Sequence, residues 1–350
     1  MDRRLGHALA LPLVALAWLP GGGCGGDLPI GSRVDKLRLL ALRAEPPEIA
    51  PGATTLVSAL VARPPAAQGP VSLLWLACKS SRTDGTAFGC LLAPGQRPEA
   101  LPRCLDDPAA PLCHLGEALE VPYRAPAIDL GPSGVDERIV TLVAAEETAG
   151  GALACALGAA GNGGAPPDPD RCVIAFKRLT LSAAGRTPRP DCPGGVLNHN
   201  PRLDGVTLGG QPFPGPLAPR LLTPGAKRDR AALPLVAARA DGADELRCCA
   251  ATDSEAACPA KRHGRREVLL VSWFASAGSL KEANTSLQRA DCDDPCQRQP
   301  LELTTATTWL PPTADEAAKQ APDRRIRIWA VVRDDRGGAA WLTADGTLTP

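Results

Sequence analysis

Val71-Ser-Leu-Leu-Trp75 and Leu270-Val-Ser-Trp273-Phe274 are the two stretches on which the fold turns. Each is a short apolar run carrying one tryptophan, and each stands between clusters of proline and glycine. Runs of this length bounded by turn formers read as β-strands. Working outward from the first gives strands at 37–43, 54–62, 71–78, 118–123, 138–145 and 172–181. Working outward from the second gives 205–208, 231–239, 267–275, 301–305, 325–333 and 339–344. The two sets run in the same order. Each has a tryptophan strand, then a Leu-Glu-Val or Leu-Glu-Leu run (119–121, 301–303), then a loop with proline, then an Arg-Ile strand. This is the pattern of a divergent internal duplication.

Composition agrees with short strands and many turns. The chain has 37 prolines and 35 glycines in 350 residues, which leaves little room for long helices. Its 38 basic residues balance 38 acidic ones, so no net field draws it to nucleic acid. The expected organisation is a signal peptide at 1–23, a tether at 24–36, a β-sandwich at 37–186, a linker at 187–202 and a second β-sandwich at 203–350.

The first residues have the layout of a secretory signal peptide: Asp2, Arg3 and Arg4, an apolar run over 8–19, then a Gly-rich stretch around Cys24. The run is too short to span a bilayer as a helix, which takes roughly 20 residues. Leu19-Pro-Gly-Gly-Gly-Cys24 resembles the bacterial lipobox, in which small residues precede a cysteine that becomes lipidated. Gly21 stands where that motif usually has leucine. The resemblance implies a lipid anchor on Cys24, the alternative being an ordinary signal peptide with Cys24 near the new terminus.

At the tryptophan strands the chain resembles tandem immunoglobulin-like or polycystic-kidney-disease-like modules, in which a central-strand tryptophan packs between two sheets. Ile328-Trp-Ala-Val-Val-Arg-Asp334-Asp-Arg-Gly337-Gly338 looks like the late strand and turn of such a module. The run from Leu39 through Pro46 to Gly52 is similar to its first strand and Pro-Gly turn. More broadly the chain resembles cell-surface lipoproteins of myxobacterial type. The implied fold is all-β, two tandem immunoglobulin-like sandwiches stapled by disulfides. Trp75 and Trp273 are expected in the sandwich cores with Trp329, while Trp309 and Trp341 are candidates for exposed platforms.

Thirteen cysteines suggest an oxidising compartment. With Cys24 set aside, six fall in each half: 78, 90, 104, 113, 155 and 172, then 192, 248, 249, 258, 292 and 296. The bridge candidates are therefore Cys78, Cys90, Cys104, Cys113, Cys155, Cys172, Cys192, Cys248, Cys249, Cys258, Cys292 and Cys296. Proximity pairs Cys78 with Cys90, Cys104 with Cys113, Cys155 with Cys172 and Cys292 with Cys296. Adjacent Cys248 and Cys249 need separate partners, with Cys258 and Cys192 the candidates. Such bridges are expected to staple loops rather than hold the sheets.

Cys248, Cys249, Cys258, His263, Cys292 and Cys296 admit a zinc reading, but no paired-knuckle spacing is present. Asp291, Asp293 and Asp294 lack the spacing of a calcium loop. Lys261, Arg262, Arg265 and Arg266 form a basic cluster, read either as a solvated loop or as a grip for envelope glycolipid phosphates. Of the histidines, 114, 199 and 263 lie outside the leader, and no nucleophile elbow, metal helix or phosphate loop accompanies them. No catalytic residue, metal or cofactor is assigned.

The expected function is a non-enzymatic surface lipoprotein with a structural, adhesive or protein-binding ectodomain. Its partners would be the membrane, through Cys24, and other envelope proteins, with no nucleic acid. Its place is the outer membrane or cell surface, or the periplasmic face. The alternatives are an exported hydrolase with its site in the Cys-rich loops, or an extracellular ligand receptor. Six bridges leave no free thiol, so alkylation of the denatured, unreduced chain should add no label; two or more labelled cysteines would refute the count.

Overall fold

A strand with apolar residues on alternate positions has one buried face, whereas an unbroken apolar run is buried on both. Leu73 through Ala77 and Ile328 through Val332 are unbroken runs, and every residue in both is buried. The computed structural model describes residues 31–64, 67, 69–79, 90–93, 95–130, 135–159, 168–182, 198–213, 232–239, 246–247, 265–266, 269–287 and 304–348.

The first sandwich holds β1 (Arg38–Glu45), β2 (Glu48–Ile49), β3 (Thr54–Ala62), β4 (Val71–Lys79), β5 (Leu112–Gly116), β6 (Glu120–Arg124), β7 (Val135–Glu146) and β8 (Cys172–Ser182). One sheet has the order β1-β3-β6 and the other β2-β8-β7-β4-β5. After β1 the chain crosses between sheets, and β2 pairs in parallel with β8, Glu48 opposite Thr180. Between the sheets lie Trp75, Val57, Leu115, Val121, Tyr123, Leu142, Leu179 and Leu181.

The second sandwich holds β9 (Leu203–Leu208), β10 (Gln211–Phe213), β11 (Leu233–Arg239), β12 (Leu246–Arg247), β13 (Arg265–Arg266), β14 (Leu270–Ala275), β15 (Ser279–Leu280), β16 (Asn284–Ser286), β17 (Thr304–Leu310), β18 (Arg325–Arg333) and β19 (Ala339–Thr347). Its sheets run β10-β9-β11-β17-β15 and β16-β14-β18-β19, with β12 and β13 paired separately. Its core gathers Trp273, Trp309, Phe213, Leu235, Ile326 and Ile328.

Both halves are immunoglobulin-like sandwiches of one strand order. The set β1-β3-β6 corresponds to β9-β11-β17, and β8-β7-β4 to β19-β18-β14. Trp75 and Trp273 sit on the corresponding strands β4 and β14, opposite Leu142 of β7 and Ala330 of β18. Each indole is sealed by a hydrogen bond, Trp75 Nε1 donating to the Ala118 carbonyl at 2.7 Å and Trp273 Nε1 to Thr285 Oγ1 at 2.8 Å.

Several expectations need correction. Trp309 is no platform: it is fully buried, and its Nε1 donates to the Ala277 carbonyl at 3.0 Å. Alternation along β17 turns Thr305, Thr307 and Trp309 inward together. Trp329 is buried, but outside its own sandwich core, because Ile328 and Ala330 on either side take the inward positions. Strands β2, β5, β10, β12, β13, β15 and β16, none longer than five residues, were not anticipated. Nor was α1 (Gly151–Ala159), an Ala-rich helix that follows a glycine turn. A second helix, α2 (Ala314–Gln320), starts at a capping box in which Thr313 and Glu316 bond reciprocally at 2.8 and 3.2 Å.

Removing an indole from a closed core leaves a cavity that the sheets cannot refill. Trp75→Ala and Trp273→Ala should each cost about 3–5 kcal/mol of stability, read from denaturant unfolding; an unchanged midpoint for either would show that its core tolerates the loss.

Candidate functional site: the seam between the sandwiches

The outer face of β1 and β3 lies against the outer face of β14, β18 and β19. Val34, Leu40, Ala41, Leu60 and Ala62 pack on Trp329 and Val331, with Phe274 and Trp341 half-buried at the margin. An irregularity between Leu39 and Ala41 accounts for two consecutive residues, Leu40 and Ala41, sharing this face. The Arg43 guanidinium lies 4.9 Å over the Trp341 ring, a cation–π contact at the edge. The segment before β1 joins in: Val34 N donates to Ala275 O, and Ala275 N to Ser32 O, both at 2.9 Å.

Beside this apolar patch the linker stitches the sandwiches with polar bonds. Asn200 Nδ2 donates to the Ala44 carbonyl at 2.6 Å and to Glu45 at 2.7 Å, while its Oδ1 accepts from Ala339 N at 2.8 Å. Asn198 N donates to Glu48 Oε2 at 2.9 Å, and the same carboxylate oxygen takes Arg336 Nη2 at 2.6 Å. The ion pair is largely shielded, its side chains 19% and 14% exposed.

The turn after β18 supplies the other half. Asp334 Oδ1 accepts from Arg336 N at 2.8 Å and Gly338 N at 2.7 Å, folding the turn around one carboxylate. A Cβ on Gly338 would lie 2.0 Å from Asp334 Oδ2, so only glycine closes it. Lys177 of β8 reaches the Gly337 carbonyl across the seam. Arg333 reaches back to the Leu40 carbonyl and bonds Ser272 Oγ at 3.1 Å. Burial pushes the Lys177 amine down to about 8, the nearby Asp334 carboxylate opposing that shift. Burial likewise raises Asp334, against the hydrogen bonds it accepts.

The bridges join Cys78 to Cys90, Cys104 to Cys113 and Cys155 to Cys172. They do more than staple loops. Cys90, Leu92, Leu101, Ala152, Cys155 and Ala156 close over Leu74, Leu76, Val143 and Ala145, so the bridged segments and α1 form a lid on the outer face of β4 and β7. His114 is buried in β5, its pKa lowered by burial and by Arg103. His199 lies in the linker; nothing gathers the histidines into a reactive set among the described residues. Cys24, Cys192, Cys248, Cys249, Cys258, Cys292, Cys296, His263, Lys261, Arg262, Asp291, Asp293 and Asp294 lie outside the described residues, as do the side chains of Arg265 and Arg266. Among the described residues no group of acidic, histidine or cysteine side chains is arranged to hold a metal.

The seam residues Lys177, Asn198, Asn200, Glu48 and Arg336 were missed. Lys177 carried a signal: it takes an inward position between Ala175 and Leu179, where a charge stays only with a partner.

No protein-family model matches the chain, and no curated protein matches it. Among solved structures it is similar to the D0-D1 domain of intimin, at 7% identity over 89% of this chain and 99% of that one, TM-score 0.20. It is similar to the Escherichia coli chaperone DraB at 11% identity over 90% and 98%, TM-score 0.22. A Ca2+-stabilized adhesin with which an Antarctic bacterium binds ice matches at 9% identity over 91% and 49%, TM-score 0.20.

A charge on the apolar patch should part the sandwiches while leaving their cores intact. Val331→Asp should enlarge the radius of gyration in small-angle scattering with the β-sheet circular dichroism kept; an unchanged radius in a folded variant would show that the patch does not hold the seam.

Proposed function

We propose that the chain is a non-enzymatic envelope or cell-surface lipoprotein, held by a lipid on Cys24, with a structural, adhesive or protein-binding ectodomain. The observation that carries the reading is the bracing: three disulfides brace one sandwich, two in the lid over its outer face and the third in its core, and the second sandwich is docked on the first through a buried apolar and polar seam. Disulfides of this kind belong to oxidising compartments outside the cytosol. No described helix is long and apolar enough to cross a membrane, so attachment in this reading falls to the lipid. Its partners are other envelope proteins, met at the outer membrane or cell surface. The fixed angle between the sandwiches suits a spacer or a presenting arm more than a flexible string of modules.

Cys24→Ala should move a folded ectodomain from the membrane fraction to the soluble fraction and abolish incorporation of labelled fatty acid. Retention of the variant in membranes would remove the anchor from this account.

A further inference from the structure

Of the asparagines in the chain, Asn284 alone has a hydroxyl residue two positions on, in Asn284-Thr285-Ser286. That spacing, with any residue but proline in the middle, is the acceptor pattern for N-linked sugar. The pattern is common in sequences; the structure adds the placement of its groups. Asn284, Thr285 and Ser286 form β16, which ends the sheet β16-β14-β18-β19. Asn284 stands opposite Ser272 and Ser286 opposite Leu270, so alternation sets Asn284 and Ser286 on one outer face. Thr285 turns the other way and accepts from Trp273 Nε1 at 2.8 Å, which holds the strand in that orientation. Asn284 is exposed. Its Oδ1 accepts from Ser272 Oγ at 2.8 Å, and Ser272 Oγ accepts in turn from Arg333 Nη1 at 3.1 Å. The amide is thus held by its oxygen, and its Nδ2 bonds to no described group.

We propose that Asn284 is N-glycosylated by a transferase whose donor is a lipid-pyrophosphate-linked oligosaccharide. The bond from Nδ2 to C1 of the first sugar forms as the C1–O bond to pyrophosphate breaks. The lipid pyrophosphate leaves, and Nδ2 gives up one proton to a base of the transferase. No oxidant or reductant is needed. Because Asn284 and Ser286 share a face, the transferase meets the amide nitrogen and the hydroxyl from one side of an extended segment. The sugar also has a place in the fold. β16 carries no proline and no charge, and an edge of that kind invites pairing with a strand of another molecule. On the same face Leu270 is 42% exposed, and Phe274 is half-buried at the margin of the seam. A sugar chain rooted at Asn284 blunts the edge and shades this apolar strip. The modification belongs to exported chains, so it rests on the exported reading above.

The test is a peptide map by mass spectrometry of the full chain isolated from the cells that make it. Trypsin cuts after Lys281 and Arg289 and so frees residues 282–289 as one peptide. The expected result is that this peptide carries an oligosaccharide, which an amidase specific for N-linked sugar removes. Asn284→Gln and Ser286→Ala should each lose the sugar, and Ser286→Thr should keep it. A bare peptide from the natural chain overturns the proposal. Sugar retained in Asn284→Gln overturns it too, since the sugar then sits on a hydroxyl. The same digest without reduction reads the exported state separately. Bridged cysteine peptides beside a bare 282–289 peptide remove the sugar and leave export standing, whereas free cysteines at all six bridge positions of the first sandwich remove both.

Discussion

A sheet apolar on both faces cannot leave either to water, and most of this structure follows from that constraint. In the first sandwich Trp75 and Leu142 fill the inner face of β4 and β7, while Leu74, Leu76 and Val143 remain on the outer face. In the second, Trp273 and Ile328 face inward, while Phe274, Trp329 and Val331 face out. The two outer faces are covered by different means. The first receives α1 and the disulfide-bridged segments, and the second receives the outer face of β1 and β3. A buried side chain of this size contributes about 1.5–3 kcal/mol, so each cover is a substantial part of the stability of the sheet beneath it.

Seen this way, the polar groups of the seam complete what the apolar patch begins. Apolar contact is non-directional and would tolerate sliding of one sheet over the other. The Asn200 amide, bonded at once to β1 and to the start of β19, admits one register. The Glu48–Arg336 pair fixes the same alignment from the opposite side of the linker. Ion pairs this shielded add little net energy after desolvation, and their effect lies in selecting one docked geometry.

Much of the fold was legible because it rests on period and punctuation. The twelve anticipated strands lie on or beside observed ones, and the tryptophan strands take the matching central positions. The cover was harder to read. An unbroken run such as Leu73 to Ala77 says that both faces are buried but not what buries them. Trp329 illustrates the limit: its burial followed from its run, but the identity of its neighbour depended on a long-range docking that no local pattern encodes. Trp309 was misjudged because β17 was placed too early, at 301–305, which left the tryptophan in a loop. The observed strand is Thr304–Leu310, in which Trp309 shares a face with Thr305 and Thr307. At the seam, the asparagines act through a geometry that exists only when both sandwiches are in place, whereas the turn that Asp334 and Gly338 close is local to β18 and β19 and was readable in the sequence.

The unequal covers also make the halves unequal in what they need. The lid of the first sandwich lies within its own stretch of chain, and its two bridges close loops with sequence separations of only 12 and 17 residues. Short covalent loops constrain the unfolded chain locally and do not wait for a distant partner. The outer face of β14 and β18 instead depends on residues of β1 and β3, more than two hundred positions earlier in the chain. The first sandwich can therefore complete most of its own burial, whereas the second finishes its outer face only on the surface the first provides. Val34 draws the residues before β1 into the same arrangement, bonding to the end of β14. The segment that leads into β1 is thus held by the second sandwich, and this closes the two halves into one body.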